Sequence, residues 1–475
     1  MKTSSNNPEY AILGHPNEGK SSVVSTLAED DTIKVSATPG ETRRCRSFPV
    51  MVDGVEIIRF TDTPGFQVPG KTLAWFQAYR GEPSQIIEAF LNEFSGDPVF
   101  RDECELLTPL KRGAGIIYVV DGSRPVRKND RAEMEILRMT GCPRMAIINS
   151  KFDDDDYTDS WKNEFRRSFN AFRVFNAHNA NYAERLQLLE SLKGIDQDWQ
   201  PALERVITAY KSDWERRNLL AAQLIAGLIE EGLGHRLKRR YTQKSAEPRL
   251  REKLLAVYEQ DIKAMEKKAH QKIRKLYKHN IFNIDLPSQS ILQHDLFDSR
   301  TWQVLGLTPA QLAAAAAACG GAIGACLDLA AAGLTFGIFT AIGSIAAAGS
   351  ALVGGEKMAH LKVVGVSLGG YKMTVGPVGN VQFLYVLLDR ALLYYGHIIN
   401  WAHGRRDHPV AAPVAGDGKI GRSGFSAQLG REEKAVFNHF FRQICGSRGA
   451  GGKSAETAMV QLIATLLDRI SSGTL

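Results

Sequence analysis

The sequence predicts an α/β domain, a doubly wound and mostly parallel sheet, over residues 1–195, followed by a helical arm and a mixed, mainly α C-terminal domain. Three observations point there. Short apolar runs (EYAIL, VEIIRF, AGIIYVV, RMAIIN and FRVFN) alternate with helical patterns in the first 195 residues, as parallel strands covered on both faces do. A glycine-rich turn, GHPNEGKSS, follows the first run directly and leads into a helical stretch. Beyond residue 200 the apolar period lengthens to three and four, which is helical.

Length and composition bound the rest. A chain of 475 residues is long for one core, and two to four domains are expected. We divide it into an α/β domain at 1–195, a basic helical region at 196–306, an Ala/Gly-rich apolar helical hairpin at 307–358 and an α+β domain at 359–475. Apolar residues make up 44% and charged residues 23%, which excludes a disordered or fibrous chain. The opening MKTSSNNPEY is polar and has no signal-peptide core, so a cytoplasmic location is expected. Six cysteines are scattered without CxxC pairs and read as free thiols.

The first turn fits G-x-x-x-x-G-K-[ST] through Gly14, Gly19, Lys20 and Ser21, with Asn17, Glu18 and Ser22 completing the loop. Glycines let successive backbone N–H groups face phosphate oxygens, the lysine neutralises β/γ-phosphate charge, and the serine hydroxyl can ligate Mg²⁺. The helix that follows adds the positive end of its dipole. A second match, GGKS at 451–454, has Ser447 in place of the first glycine and no strand before it; it reads as a loop.

The strand VEIIRF runs into Asp62-Thr63-Pro64-Gly65. Asp62 is expected to hold Mg²⁺ with Ser21, and the Gly65 N–H to sense the last phosphate. Between the two motifs, SATPGETRRC places Thr42 where it can close over the metal when that phosphate is present. Lys20, Thr42 and Gly65 are therefore the expected catalytic groups. A helical insert, EPSQIIEAFLNEFSGDPVFRDECELLTPL, precedes the strand AGIIYVV; it is either an enlarged helix–loop or a partner-sensing element.

Together GHPNEGKSS, PGETR and DTPG resemble the Era/TrmE-like P-loop GTPases of the translation-factor class, over roughly residues 8–180. The resemblance implies GTP and GDP as ligands, Mg²⁺ as cofactor and GTP hydrolysis as the reaction. It implies guanine recognition through Asn-Lys-x-Asp, which here reads Ser150-Lys151-Phe152-Asp153 with Asn149 just before it. Lys151 and Asp153 are the expected base contacts, with Asn176 and Ala177 as the last base loop. Phe66 stands where relatives place a water-orienting glutamine, so slow intrinsic turnover is expected. Asn17 matches the asparagine that holds K⁺ in TrmE-type relatives, which implies K⁺ as a second cofactor and a nucleotide-dependent homodimer.

The helical region at 201–280 carries 19 Lys and Arg against 10 Asp and Glu, an excess of nine where the whole chain has +7. It reads as a solvated helical hairpin or as a surface for RNA or anionic lipid. Residues 308–355 then hold a single charge, Asp328, with Gly320/Gly324 and Gly333/Gly337 at the spacing of close-packed helices. The 27 residues from Leu329 to Gly355 would extend about 40 Å as a helix. A buried hairpin and a membrane-touching element both fit, giving a membrane or membrane-protein partner through 307–358 and peripheral or facultative inner-membrane association. The tail holds strand-like HLKVVGVSLGG and YKMTVGP, then VQFLYVLLDRALLYYGHIINWAHGRRD. Its glycine-rich hairpin and the run VLLDRAL…HGRRD resemble bacterial GTPases whose C-terminal half is a domain of unknown function. Asp389, Arg390, His403, Arg405 and Arg406 are expected to pair structurally. The chain thus reads as a slow GTP-hydrolysing switch controlling a membrane-associated region. Its rivals are an RNA- or ribosome-associated assembly GTPase and a nucleotide-gated scaffold without turnover.

Overall fold

The computed structural model describes residues 7–28, 44–149, 157–175, 182–241, 247–277, 290–318, 362–363, 366–367, 371–399, 424–445 and 452–474. Two compact units are present, the first built mainly from Met1–Glu215 and the second mainly from the residues after it.

The first unit is organised on six strands: β1 (Glu9–Leu13), β2 (Arg46–Val52), β3 (Val55–Asp62), β4 (Gly115–Asp121), β5 (Arg144–Asn149) and β6 (Ala171–Phe175), in the order β2-β3-β1-β4-β5-β6. All neighbours are parallel except the β2–β3 hairpin. The chain passes from β1 to β3 on one side and then crosses to β4 on the other. That reversal opens a crevice at the carboxyl ends of the strands. Ile12 pairs with Asp62 and with Ile117, and Asp121 with Asn149, so the ends of β1, β3, β4 and β5 share one edge.

Period-two alternation sends each strand's side chains into two cores. Tyr10, Ile12, Ile117, Val119, Met145 and Ile147 pack with α1 (Lys20–Ala28), α7 (Tyr182–Leu192) and the start of α8 (Gln200–Gly234). Ala11, Leu13, Ile116, Tyr118, Val120 and Ile148 pack on the other face, against α2 (Pro69–Ala78), α3 (Ile86–Phe94), α4 (Arg101–Lys111), α5 (Lys128–Met139) and α6 (Thr158–Ser168). The expected insert is α3 and α4. Its interior is aromatic, with Phe76 and Phe90 ring centroids 5.5 Å apart and Phe94 and Phe100 4.3 Å apart.

Strand β2 was not among the sequence expectations. Its signal was Asp53-Gly54, whose φ angles of 51° and 77° form the two-residue turn that a right-twisted hairpin favours. Pro49 hid the strand, since proline within an apolar run argues against a strand.

The second unit corrects one expectation. The helical pattern over 201–280 is broken by β7 (Leu237–Tyr241), which pairs antiparallel with β10 (Tyr371–Val375), Leu237 opposite Val375. Gly232 and Gly234 end α8, but the partner strand lies some 130 residues on, so no local period could reveal the pairing. After β7 come α9 (Glu247–Leu276), α10 (Ser299–Val304), α11 (Pro309–Ala318) and a short β8–β9 pair (Lys362–Val363 and Val366–Ser367). The last helices are α12 (Val381–Ile399), α13 (Arg431–Cys445) and α14 (Gly452–Ser471). The GKS read as a loop at 452–454 instead opens α14.

Helix α12 is buried along almost its whole length. Its charges have separate partners. Arg390 forms a bidentate pair with Glu266 (2.5 and 3.1 Å) and donates to the His294 carbonyl at 3.0 Å. Asp389 accepts from the Gly306 N–H and from the Ser426 N–H and hydroxyl, each at 2.7 Å. His403, Arg405 and Arg406 lie outside the described residues. So does the stretch 319–361, with Asp328 and Leu329–Gly355. Among the described residues, no helix is long and apolar enough to cross a membrane.

Candidate nucleotide-binding site

The turn after β1 bends because three of its residues take left-handed backbone: Gly14 at φ 141°, Asn17 at 68° and Gly19 at 92°. Two glycines are also required by space. A Cβ on Gly14 would stand 2.2 Å from the Val119 carbonyl oxygen, and one on Gly19 would stand 2.1 Å from Asn149 Nδ2. The loop is thus seated directly on the ends of β4 and β5. Helix α1 starts from it, with the Val23 N–H donating to the Gly19 carbonyl at 3.0 Å.

Lys20 is buried and folds back over the loop, donating to the Gly14 carbonyl (3.2 Å) and the His15 carbonyl (2.9 Å). Burial pushes its ammonium below the usual lysine range, opposed by Asp62, Glu133 and Glu18. Such an ammonium has much to gain from an anionic ligand. The Ser21 hydroxyl donates to Asp62 Oδ2 at 2.8 Å, which brings a hydroxyl from the start of α1 to a carboxylate at the end of β3. Thr63 is buried and its hydroxyl donates to the Ile12 carbonyl at 2.7 Å. Gly65 presses on the loop from the other side: a Cβ there would meet Pro16 N and Cδ at 2.5 Å.

Below the loop lie two polar networks that the sequence did not disclose. The Glu18 carboxylate pairs with Arg124 (2.6 and 2.9 Å), which also pairs with Asp130 (2.7 and 2.8 Å). Glu18 accepts the Asp121 N–H as well. Its side chain therefore faces the protein, and contact with a nucleotide would come from its backbone. Burial raises the Glu18 carboxyl, with Arg124 opposing. His15 lies 3.1 Å from the buried Glu133, whose other oxygen accepts from the Tyr118 hydroxyl at 2.9 Å. Hydrogen bonding to Glu133 raises the His15 imidazole.

Asn149 donates to the Glu18 carbonyl at 3.0 Å and is fully buried. It ties β5 to the phosphate loop. Its signal was position alone, the last residue of an apolar strand. Phe66 is fully buried in the core beneath α2–α6. Gln67 donates its side-chain amide to the Gly65 carbonyl at 3.4 Å. Glu103, also fully buried, accepts the N–H groups of Gln67 (2.7 Å) and Val68 (2.5 Å). The structure brings Gly14, Asn17, Glu18, Gly19, Lys20, Ser21, Ser22, Asp62 and Gly65 to one edge of the sheet. Thr42, Lys151, Asp153, Asn176 and Ala177 lie outside the described residues.

Comparison with known proteins divides the chain in a similar way. Residues 162–468, more than half of the chain, match the family described as a domain of unknown function (DUF3482). The chain belongs to that family. Residues 9–150 of this family member match the model described as a 50S ribosome-binding GTPase, so its N-terminal domain is a P-loop GTPase domain. Over 149 residues it is 26% identical to GTPase Der of Mycoplasma pneumoniae, covering 31% of this chain and 28% of that one. Over 141 residues it is 30% identical to the probable GTP-binding protein EngB of Acidobacterium capsulatum, covering 30% and 58%. It spans less than two thirds of the length of either relative. A solved structure of Era with MgGDPNP and a segment of 16S ribosomal RNA aligns at a TM-score of 0.27 and 14% identity, over 57% of this chain and 89% of that one.

Proposed function

We propose that this protein is a GTP-binding switch that hydrolyses GTP slowly and whose nucleotide state controls its C-terminal region. The observation that carries the reading is the cradle itself. At Gly14, Gly19 and Gly65 only glycine fits, because a Cβ would strike Val119, Asn149 or Pro16, Lys20 is the buried cation folded over the loop, and Ser21 meets Asp62 at 2.8 Å. A hydroxyl and a carboxylate oxygen are the hard donors that Mg²⁺ takes while keeping several waters. Ser21 and Asp62 would hold it, with Thr42 as the third ligand, and bound there it would neutralise charge between the β- and γ-phosphates. Lys20 binds the same oxygens, and the Gly65 N–H reports whether the last phosphate is present.

Slow turnover follows from Phe66. A fully buried phenyl ring can neither accept from nor donate to an attacking water. The reading therefore needs help from K⁺ beside Asn17, from a partner, or from a homodimer. Guanine selectivity falls to Lys151 and Asp153, with Asn176 and Ala177 behind the base. The C-terminal region controlled by the switch would meet a membrane or membrane protein through 307–358.

A second reading, an RNA- or ribosome-associated GTPase, is favoured by the description of the N-terminal family match and by three consecutive exposed cations, Lys238, Arg239 and Arg240. Titration calorimetry with Mg²⁺ tests the shared core of both: GDP and a non-hydrolysable GTP analogue should bind at micromolar or tighter levels, and Lys20→Ala should lose most of the triphosphate affinity. No binding at millimolar nucleotide would end both readings. Hydrolysis rates in K⁺ against Na⁺ then separate a true enzyme from a scaffold.

A further inference from the structure

Helix α4 holds backbone on both sides of the phosphate-sensing motif. Its Glu103 takes the N–H groups of Gln67 and Val68 on a single oxygen, Oε1. Two residues on, Glu105 accepts the Cys45 N–H at 2.8 Å, and its carbonyl accepts the Cys45 thiol at 3.2 Å. Glu103 is a costly choice for this task. It is fully buried, and its second oxygen, Oε2, is buried without a hydrogen-bond partner. A carboxyl so placed is stabilised mainly by the two backbone groups it holds. The segment it grips is already limited on its other side, since Gly65 lies against Pro16 with no space for a Cβ.

We propose that Glu103 is the positioning residue of the Asp62–Val68 segment: its grip on Gln67 and Val68 fixes where the Gly65 N–H stands against the phosphate loop, and so sets the preference for GTP over GDP. This rests on the GTP-switch reading above. The insert α3–α4 becomes the lever of the switch, because any partner that moves α4 moves the Gly65 amide. Glu103 touches no nucleotide atom in this account; it acts through the backbone two and three residues beyond the glycine.

The test compares affinities for GMPPNP and GDP, with Mg²⁺, in the full chain and its variants. Glu103→Ala should weaken GMPPNP by about tenfold and GDP by less than about twofold, and Glu103→Gln, which keeps an acceptor but loses its charge, should fall between. Equal loss of both nucleotides, or an unchanged ratio in a folded variant, overturns the proposal, since a merely structural residue would lower stability without moving the ratio. Should Glu103→Ala not fold, Glu103→Gln carries the comparison. Hydrogen exchange on the unaltered protein gives a second readout: the Gln67 and Val68 amides should exchange more slowly with GMPPNP than with GDP, and identical exchange overturns the proposal. If the unaltered protein binds no GDP, the nucleotide reading itself fails and this proposal with it. Intact GDP binding with an unmoved ratio sinks this one alone.

Discussion

At the scale of single residues, the phosphate loop is held by contacts that leave no tolerance. Gly19 combines a φ of 92° with a Cβ position 2.1 Å from Asn149 Nδ2, so Gly19→Ala must both strain the backbone and displace the amide that donates to the Glu18 carbonyl. Strain and the lost buried hydrogen bond together cost about 2–5 kcal/mol. We expect Gly19→Ala to lower GDP affinity at least tenfold, with far-UV circular dichroism unchanged. Affinity within twofold of the parent would show that the loop relaxes freely. Arg124 makes a similar case by charge. It is the shared partner of Glu18 and Asp130, all three largely buried. Arg124→Ala leaves two carboxylates without their cation, and breaking a buried pair in this manner costs about 3–5 kcal/mol. The expected outcome is a clear drop in the urea midpoint, partly restored when Glu18→Val removes one of the stranded charges. An additive double mutant would contradict the pairing.

At the scale of elements, α9 and α12 pack through groups whose charge state matters. His270 on α9 stacks on Tyr394 of α12 with ring centroids 3.9 Å apart, and its buried Nε2 has no hydrogen-bond partner. Burial lowers its imidazole from 6.5 to about 4; nearby Glu266 opposes this shift and Arg390 adds to it. The unfolded chain therefore takes up a proton near pH 6.5 that the folded chain refuses until about pH 4. Protons favour unfolding in that window, so stability should fall as pH drops from 6.5 towards 4. Melting temperatures at pH 7.5 and 5.0 read this directly, and His270→Phe should flatten the difference. A variant with the same pH slope as its parent would assign the loss to other groups. Elements also show where sequence reading stops. Strands β1, β3, β4, β5 and β6 and the helices of the insert were legible because burial on both faces, or on one stripe, writes itself into the local pattern. The turn with Gly14, Gly19 and Lys20 and the meeting of Ser21 with Asp62 were legible because the motif's fixed spacing after an apolar strand places these residues at one edge of the sheet. Strand β7 was not, because its partner is β10. Neither were Glu103 and Arg124, because each gets its role from a contact across more than thirty residues of chain, Glu103 with Gln67 and Arg124 with Glu18.

At the scale of the whole molecule, charge is what a distant partner senses first, and here it is localised. Residues 201–280 hold an excess of nine positive charges, more than the chain's net +7. Lys238, Arg239 and Arg240 are consecutive and all exposed, so β7 offers cations on both faces of a two-stranded ribbon instead of alternating inward and outward. Lys267, Lys268, Lys272 and Lys275 add exposed cations along α9. Only the ends of β7, Leu237 and Tyr241, are half-buried, so its three central cations are available to an anionic surface. Reversing Lys238, Arg239 and Arg240 to Glu changes the net charge by six, from +7 to +1, and should cost little stability because none is buried. Membrane recognition then predicts that the full chain floats with vesicles containing phosphatidylserine at low salt, is released as salt approaches several hundred millimolar, and does not float once the three charges are reversed. Retention on single-stranded or ribosomal RNA with the same salt dependence, without flotation, would instead assign the ribbon to nucleic acid. Binding that ignores both salt and charge reversal would remove this ribbon from either role.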